Sequence, residues 1–379
     1  MKKAVVAGHI CIDITPVFPE GIKRVSSVGD LLLPGKLINM EKPDIHTGGA
    51  VANTGLGMKV LGADVKLLGK IGDDEFGRMV MNILNRYGAG TDLIVDSDSV
   101  TSYSVVVAVP GIDRIFLHCP GANDTFTSDD IPDSALEEAA LFHFGYPTIM
   151  RKMYLEDGKY LKQLFSRMSG KGISTSLDLA AVDPNAESGR TEWEKILSAV
   201  LPYVDFFVPS FEELCFMLDR EKYEELQKRA EGGDITLALD MEEDIVPLAD
   251  RCLKMGAKAV LLKCGAPGMF LKTSHHMSEA GARLLNTYDQ EKTFCPADWN
   301  DFAAFEKSYK IEKVLSGTGA GDTSIAAFLT SVLEGYGPKQ SLEHAAAAGA
   351  LCCTSYDAVS GLKSLREIRT MIDSGWEKA

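Results

Sequence analysis

Residues 316–335 read SGTGAGDTSIAAFLTSVLEG, in which a glycine-rich segment runs directly into an apolar one. The apolar residues recur at the spacing of one helical face, and they are Ile325, Phe328, Leu329, Val332 and Leu333. Gly335 and Gly337 end this pattern, and Pro338 follows just beyond them. The spacing therefore predicts a helix that begins near Asp322, with a loop of small residues at its N-terminus.

The loop before this helix has the properties of an anion site. Free backbone N–H groups and the positive end of the helix dipole meet at a helix N-terminus, and both attract phosphate. Glycines let the backbone approach a ligand closely, because they have no Cβ atom. A lysine after Gly321 would hold phosphate by charge, but that position is Asp322. An acid there suits a different task, which is to accept a proton from an attacking hydroxyl group.

Two other interpretations of the loop stay open on this segment alone. It can be a plain glycine-rich turn in which Asp322 caps the helix, since aspartate is a preferred N-cap residue. It can also be a distant form of the dinucleotide-binding fingerprint, although that motif opens a βαβ unit and spaces its third glycine differently. The rest of the chain has to decide between them.

The composition indicates a large, acidic globular protein. The chain has 379 residues, of which 45% are hydrophobic, and its net charge is −15. It has no block of lysines or arginines, so we expect neither nucleic acid nor anionic membrane as a partner. Its eight cysteines form no Cys-x-x-Cys pair, which argues against a zinc cluster and fits a reduced, cytoplasmic protein. No run approaches the roughly 18 apolar residues of a membrane helix.

Strand-like and helix-like segments alternate along most of the chain. Predicted strands are KAVVAGHICI, DVKLLGKIG, LFHFG, ISTSLDL, DFFVPS and AVLLKCG. Predicted helices lie among them at about 75–87, 151–169, 193–201, 211–218 and 245–256. This alternation predicts an α/β fold with a doubly wound, mostly parallel sheet flanked by helices, in a single domain over 1–379.

Two stretches break the alternation. Residues 12–47 contain no good helix, and 100–119 read as a strand pair, so we expect these two segments to form a small β layer beside the main sheet. Residues 273–313 are polar, poorly periodic and long for a loop, which predicts an irregular insert.

These pieces, in this order, resemble the ribokinase-like carbohydrate kinases of the PfkB family over about residues 4–370. The resemblance is carried by GGAVANTGLGMKVLGADVKLLGKIGDDEFG at 48–77 and GTGAGDTSIAAFLTSVLEG at 317–335. It implies a ribokinase-like fold in which 12–47 and 100–119 form a lid over the sugar, and a homodimer formed through that lid. It also implies transfer of the terminal phosphoryl group of ATP to a hydroxyl of a sugar or polyol.

The resemblance implies roles for residues at matching positions. Asp322 matches the general base, and the backbone amides of Gly319, Ala320 and Gly321 match the anion hole. The sugar-contacting positions are matched by Asp13, Gly48, Gly49 and Asn53. An aspartate and an asparagine suit a polyol, because the first accepts hydroxyl hydrogens and the second both donates and accepts.

The resemblance also implies a donor side and its ions. Glu213 in PSFEEL matches an acid that holds Mg²⁺ through water. The donor-binding positions are matched by Ser210, Lys263, Gly265, Gly268 and Thr318. A monovalent cation such as K⁺ would lie near YDAVSG at 356–361. Apart from the resemblance, Asp178 and Asp183 follow a predicted strand at the sheet edge where ligands gather, which makes both of them further candidates.

Several departures from the family pattern leave the donor and the substrate open. Ser210 stands where the family has asparagine, Ser316–Gly317 stands for Asp-Thr, and Ala50 stands where ribokinases carry a lysine. The insert at 273–313 is expected near the donor site. ADP, GTP or pyrophosphate therefore stay open as donors beside ATP. Inositol, fructose, a 2-keto-3-deoxy acid and a nucleoside stay open as substrates, and neutral ones are favoured because no arginine stands out.

Two functions of other classes also stay open. A non-catalytic sensor could bind a sugar or nucleotide on a kinase scaffold, although it would gain nothing from an acid beside phosphate. An oxidoreductase would need a dinucleotide fingerprint in the first strand–helix unit, and the sequence has none there.

Overall fold

The structure is a computed structural model, and it describes residues 2–90, 92–112, 114–277 and 296–379. Its strands are β1 (Lys3–Gly8), β2 (Cys11–Thr15), β3 (Asp44–Gly48), β4 (Asp64–Gly72), β5 (Ile94–Asp96), β6 (Tyr103–Val107), β7 (Ile115–Cys119), β8 (Ala139–Gly145), β9 (Ser174–Leu177), β10 (Phe206–Phe207), β11 (Ala259–Lys263), β12 (Gly268–Thr273) and β13 (Ala303–Lys307). Its α-helices are α1 (Ala50–Leu61), α2 (Glu75–Arg86), α3 (Arg151–Gly170), α4 (Trp193–Val200), α5 (Phe211–Leu218), α6 (Arg220–Arg229), α7 (Val246–Lys254), α8 (Ala320–Glu334), α9 (Pro338–Cys352) and α10 (Leu365–Asp373).

A nine-stranded sheet forms the centre of the molecule, in the order β13-β12-β11-β10-β9-β8-β1-β4-β5. The strands from β11 to β5 pair in parallel, whereas β12 and β13 pair antiparallel at one edge. Parallel strands with helices on both faces must be apolar throughout, and β1 is buried along nearly its whole length. The predicted doubly wound α/β fold is confirmed.

A second, four-stranded sheet has the order β3-β2-β6-β7 and draws on the two segments that broke the alternation. The predicted small β layer is therefore confirmed, while its action as a lid stays a prediction. The expectation of one continuous strand in KAVVAGHICI is wrong, because the chain divides there into β1 and β2 in different sheets. The division occurs at Gly8, where φ is 125° and a Cβ atom would overlap the Gly145 carbonyl oxygen.

The helices predicted at 75–87, 151–169, 193–201, 211–218 and 245–256 are present as α2, α3, α4, α5 and α7. The acidic stretch 219–245 reads from its sequence as an irregular insert, and this expectation is wrong in part, because Arg220–Arg229 forms α6, whose N-terminus is capped by Asp219. No sequence prediction covers α10.

Two local differences occur within the predicted helices. In α3, Leu155–Gly158 leave helical geometry, and the resulting kink lets Gly158 pack against Ile196. A π-helical turn at Met241–Ile245 leads into α7. No helix in the described part of the chain is both long and apolar enough to span a membrane.

The insert at 273–313 is more regular than expected. It contains β13, which pairs antiparallel with β12 from Gly268↔Lys307 to Lys272↔Ala303. Its polar sequence hid this strand, because an edge strand of mixed exposure has no long apolar run. Residues 278–295 of the insert lie outside the described residues.

Two apolar cores lie on opposite faces of the large sheet. One contains residues of α1, α8 and α9, and the other contains residues of α3 to α7. Phe328 of α8 packs edge-on against Phe206 and Trp299, with ring centroids 5.8 and 6.1 Å away. This contact fixes the helix of the glycine loop onto the sheet.

His143 in β8 makes stability depend on pH. It is fully buried, its Nδ1 lies 3.0 Å from Ser176 Oγ, and burial lowers its pKa from 6.5 to about 3. Between these values the unfolded chain binds a proton that the native protein excludes, so stability falls as pH falls. Below about pH 6.5, His143 should therefore lower the free energy of unfolding by up to about 1.4 kcal/mol for each unit that the pH falls.

Urea unfolding at about pH 7 and about pH 5 measures this effect, since stability follows the difference in bound protons. His143→Asn should lose less stability than wild type across that interval, because it lacks the titrating imidazole. His276→Asn, at an exposed site, should behave as wild type. Equal losses in wild type and His143→Asn would contradict the prediction.

Candidate active site

The glycine loop and α8 adopt the arrangement that the sequence predicts. Gly319 is the N-cap residue with φ 77°, and a Cβ atom there would overlap Ala358. α8 begins at Ala320, and Asp322 lies in its first turn with 4% of its surface exposed. Asp322 is therefore not the helix cap, and the interpretation of the loop as a plain capped turn does not hold. Its side chain is used for contacts with distant parts of the chain.

Three side chains donate hydrogen bonds to the Asp322 carboxylate. Asn53 Nδ2 lies 3.1 Å from Oδ2, and Thr54 Oγ1 lies 3.2 Å from Oδ1. The hydroxyl of Tyr146 lies 2.8 Å from both oxygens. Asn53 and Thr54 belong to α1, so the two sequence signatures meet at this carboxylate.

Burial raises the pKa of Asp322 above its ordinary value, because water no longer solvates the charged form. The Lys263 ammonium and the three donors act in the opposite direction. A carboxylate with a raised pKa holds a proton more strongly, which suits a general base.

Lys263 brings a cation to the glycine loop. Its Nζ lies 2.8 Å from Asp178 Oδ1, and a Cβ atom on Gly321 would be 3.6 Å from the same Nζ. Burial alone would lower the pKa of Lys263, but Asp178 and Glu213 raise it above the ordinary value. Burial raises the pKa of Asp178 to about 8, and Lys263 opposes that rise. Lys263 is therefore a half-buried, charged ammonium beside the loop.

The predicted sugar-binding residues gather at the start of α1. A Cβ atom on Gly48 would overlap the Asp13 carboxylate, so Asp13 lies directly against that glycine. Gly49 has φ 86°, and a Cβ atom there would lie 2.6 Å from His9 Nδ1. Burial raises the pKa of Asp13, and the charge of Asp322 adds to the rise. Asp13, Gly48, Gly49 and Asn53 are thus brought together beside Asp322, and their roles stay predictions.

The predicted donor residues form a second group around Lys263. Ser210 caps α5: its Oγ accepts from the Glu213 amide at 3.2 Å, and Glu213 Oε2 accepts from the Ser210 amide at 3.1 Å. Ser210 also pairs with Lys263 across a β-bridge. Gly265 and Gly268 lie in a tight turn. The turn is closed by a hydrogen bond of 2.8 Å, which the Cys264 amide donates to the Gly268 carbonyl oxygen. The insert reaches this turn through β13.

Sequence analysis missed three residues that the structure places at the site: Thr54, Arg114 and Tyr146. Thr54 lies next to Asn53 in the first signature, but its buried hydroxyl carries no sequence signal. Arg114, between β6 and β7, donates to Thr318 Oγ1 and so joins the small sheet to the glycine loop. Nothing in GIDRIF signals that contact, which arises only from the packing of the small sheet. Tyr146 directly follows β8 at the carboxyl edge of the sheet, where the rule for α/β ligand sites could have found it.

Comparison with known proteins assigns the class. Residues 1–365 match the sequence pattern of the pfkB family of carbohydrate kinases, and the chain belongs to this family. It is therefore a phosphotransferase that uses an alcohol group as acceptor. An uncharacterized sugar kinase of Archaeoglobus fulgidus is 26% identical over 310 residues, covering 81% of this chain and 98% of that protein. Fructokinase-1 of Zea mays is 27% identical over 341 residues, covering 86% and 88%.

Solved structures show the same fold. A fructokinase of Xylella fastidiosa with bound ATP superposes with a TM-score of 0.67 at 19% identity, covering 99% of each chain. A ribokinase of Arabidopsis thaliana complexed with ribose and ATP gives 0.66 at 19% identity, covering 98% of each chain. The predicted ribokinase-like fold is confirmed.

Removing the Lys263 cation should destabilise the protein more strongly at high pH. In Lys263→Met the pKa of Asp178 rises further, so the native state holds a proton that the unfolded chain releases as pH rises. We expect a loss of about 3 kcal/mol relative to wild type near pH 9, and a smaller loss near pH 6. Denaturant unfolding at both pH values measures it.

The double variant Asp178→Asn with Lys263→Met is the matched control, because its neutral amide cannot titrate. For each variant, the stability lost relative to wild type is measured near pH 6 and near pH 9. This loss should change less between the two pH values in the double variant than in Lys263→Met. Equal losses for Lys263→Met at both pH values would show that the buried carboxyl does not govern this effect.

Proposed function

We propose that this chain transfers the terminal phosphoryl group of ATP to a hydroxyl of a neutral sugar or polyol, with Asp322 as general base. The observation that carries the proposal is the buried Asp322 carboxylate in the first turn of α8, between the Lys263 ammonium and the sugar-side residues of α1. A base and a phosphate-binding helix terminus at one point are what phosphoryl transfer to an alcohol needs.

The residues would act as follows. The substrate hydroxyl attacks the terminal phosphorus, and its proton passes to Asp322. Backbone N–H groups of Gly319, Ala320 and Gly321 hold the charge on the transferred group. The Ala320 amide donates to the Gly317 carbonyl oxygen at 3.3 Å. This hydrogen bond is long, so a phosphate oxygen can replace the Gly317 oxygen as acceptor. Lys263 and Thr318 face the phosphates, and Asp13, Gly48, Gly49 and Asn53 hold the other hydroxyls of the sugar.

Mg²⁺ fits the donor side. Glu213 is a partly exposed carboxylate whose charge acts on both Lys263 and Asp178, and oxygen ligands with water are the set that Mg²⁺ prefers. When bound, the ion would neutralise phosphate charge. A ribokinase-like structure from E. coli contains ATP and Mg²⁺, which supports the same proposal. For K⁺, the support is that Ala358 of the 356–361 loop packs on Gly319, beside the proposed anion hole.

Two arguments favour a neutral substrate. The residues expected to contact the sugar are an aspartate, an asparagine and two glycines, which recognise hydroxyl groups rather than negative charge. Arg114 contacts Thr318 on the proposed donor side, so its charge would serve the phosphates of the donor rather than an acidic group of the sugar. Fructose is the first candidate, because relatives from Zea mays and Oryza sativa are named fructokinases.

The small sheet supports a homodimer through the lid. β7 is an edge strand of this sheet, and its apolar residues Ile115, Phe116 and Leu117 are 38%, 53% and 57% exposed. A second copy could cover them and pair with the open edge. For location we propose the cytoplasm, since the seven described cysteines are free thiols of the kind that reducing compartments preserve.

The first test is phosphate transfer with Mg²⁺ across a matrix of donors and acceptors. The donors are ATP, GTP, ADP and pyrophosphate, and the acceptors are neutral sugars, polyols and nucleosides. We expect product with ATP and a neutral acceptor, because the glycine loop, Lys263 and Asp322 suit that reaction. Product formed only with another donor would refute ATP as the phosphoryl donor. If no pair of donor and acceptor gives product, the kinase function is refuted.

Replacing Asp322 with Asn should lower kcat by about 10²–10⁴-fold, the range for loss of a general base. The fold should persist, because the amide can keep part of the bonding to Asn53, Thr54 and Tyr146. Thermal unfolding and steady-state kinetics measure the two properties. Asp373→Asn, an exposed residue of α10, is the control and should keep full activity. Unchanged turnover in Asp322→Asn would remove the proposed base.

A further inference from the structure

Tyr146 holds an unusual position on the proposed base. It follows β8 directly and has φ 69° and ψ 38°, a left-handed conformation that a bulky residue rarely adopts. The preceding Gly145 cannot be larger, because a Cβ atom there would overlap Ala50 of α1. This close packing and the left-handed backbone together direct the phenol onto Asp322. Strained backbone of this kind persists only where surrounding structure determines it, and it gathers at functional sites.

The hydrogen bonds of Asp322 leave little room for a substrate. A carboxylate offers about four acceptor positions, two on each oxygen. Oδ1 accepts from Thr54, Oδ2 accepts from Asn53, and the single hydrogen of the Tyr146 hydroxyl is shared between the two oxygens, which lie equally close to it. Thr54 is fully buried on α1, whereas Tyr146 is only partly buried. A substrate hydroxyl must accordingly take over the positions of the phenol before Asp322 can accept its proton.

We propose that the Tyr146 hydroxyl holds the place of the substrate hydroxyl on Asp322 while the sugar is absent, and thereby keeps water off the base and limits hydrolysis of the phosphate donor. The inference rests on the proposed kinase function. In the reaction it limits, a water oxygen bonds to the terminal phosphorus of a nucleoside triphosphate. The bond from that phosphorus to the nucleoside diphosphate breaks, and a water proton passes to Asp322.

The phenol suits this task because it donates a hydrogen bond to Asp322 but, while protonated, does not itself attack phosphorus. Burial, with the charges of Asp322 and Asp178, raises the pKa of Tyr146 well above its ordinary value, so it stays protonated and donates. A substrate that brings several hydroxyls can displace it, since Asp13 and Asn53 add contacts that a single water cannot make. Water alone gains no such contacts.

The test compares Tyr146→Phe with wild type in two assays with ATP and Mg²⁺. The first assay contains no acceptor and follows ADP release. We expect hydrolysis to rise about tenfold or more in the variant, the factor for removing one competing hydrogen bond to a charged carboxylate. The second assay contains the acceptor found in the matrix. Here kcat should change little and KM for the acceptor should fall, because the acceptor no longer displaces the phenol.

Two further variants make the result specific. Tyr146→Phe with Asp322→Asn should lose the added hydrolysis, since Asp322 takes the proton from water. Tyr154→Phe removes the hydroxyl of a tyrosine that packs on Trp193 in another region, and it should hydrolyse ATP as wild type does. Thermal unfolding confirms that each variant folds. Added hydrolysis that survives without Asp322 would overturn the proposal.

A residue that merely positions Asp322 would give a different pattern. Tyr146→Phe would then lower kcat and shift the acid limb of the pH–rate profile, with unchanged hydrolysis, and this result overturns the proposal. Mass spectrometry after incubation with ATP gives a third readout. Phosphate on Tyr146 would mean that the phenol is an acceptor, which also overturns it.

The assay without acceptor separates this inference from the kinase function. If wild type transfers phosphate to no acceptor, the kinase function fails, yet faster ATP hydrolysis in Tyr146→Phe still supports the role of the phenol. If wild type is an active kinase and Tyr146→Phe hydrolyses ATP no faster, the role of the phenol fails alone.

Discussion

The burial of one carboxylate governs much of this structure. Moving an ionised acid out of water is costly unless donors replace its solvation, and Asp322 is 4% exposed. Two of its donors, Asn53 and Thr54, come from a helix 269 and 268 residues away in sequence. α1 and α8 must therefore lie very close together. Gly57 permits this, because a Cβ atom there would be only 2.9 Å from Ala326 Cβ.

The same region concentrates acidic groups before any phosphate arrives. Asp13, Asp178, Glu213 and Asp322 contribute carboxyl groups, and Lys263 is the ammonium among them. Phosphates add further negative charge, so binding of the donor must be accompanied by cations and by oriented N–H groups. In the proposed function the terminus of α8 and Arg114 would supply part of this, and Arg114 would do so only while the small sheet lies over the loop. Electrostatics would then couple the position of that sheet to occupancy of the proposed donor site.

Sequence analysis reached the α/β fold and most of the candidate site because those features are encoded locally. Gly319 and Gly49 mark backbone that must adopt positive φ, and the apolar period of 320–334 marks a buried helix. Asp322 and Asn53 stood out because each lies in a glycine-rich signature. The contact between them could not be read locally, and only the family resemblance put them in one site.

The features it missed depend on tertiary packing. β13 is an edge strand whose exposure gives no apolar run, and its pairing partner β12 determines it. Arg114 follows a turn with no distinguishing sequence, and its contact with Thr318 requires the two sheets to be placed first. The left-handed backbone of Tyr146 contradicts the preference of tyrosine, so no propensity predicts it.

The placement of the candidate residues on two sheets has an evolutionary consequence. The proposed donor-side residues belong mainly to β11, β12 and α5 of the large sheet, whereas the proposed sugar-side residues belong to α1 and to β2 and β3 of the small sheet. Mutations that reshape the recognition of one ligand can accumulate in one of these groups with little disturbance of the other. An architecture of this kind permits acceptor specificity to diversify among descendants while the use of the phosphate donor is inherited unchanged.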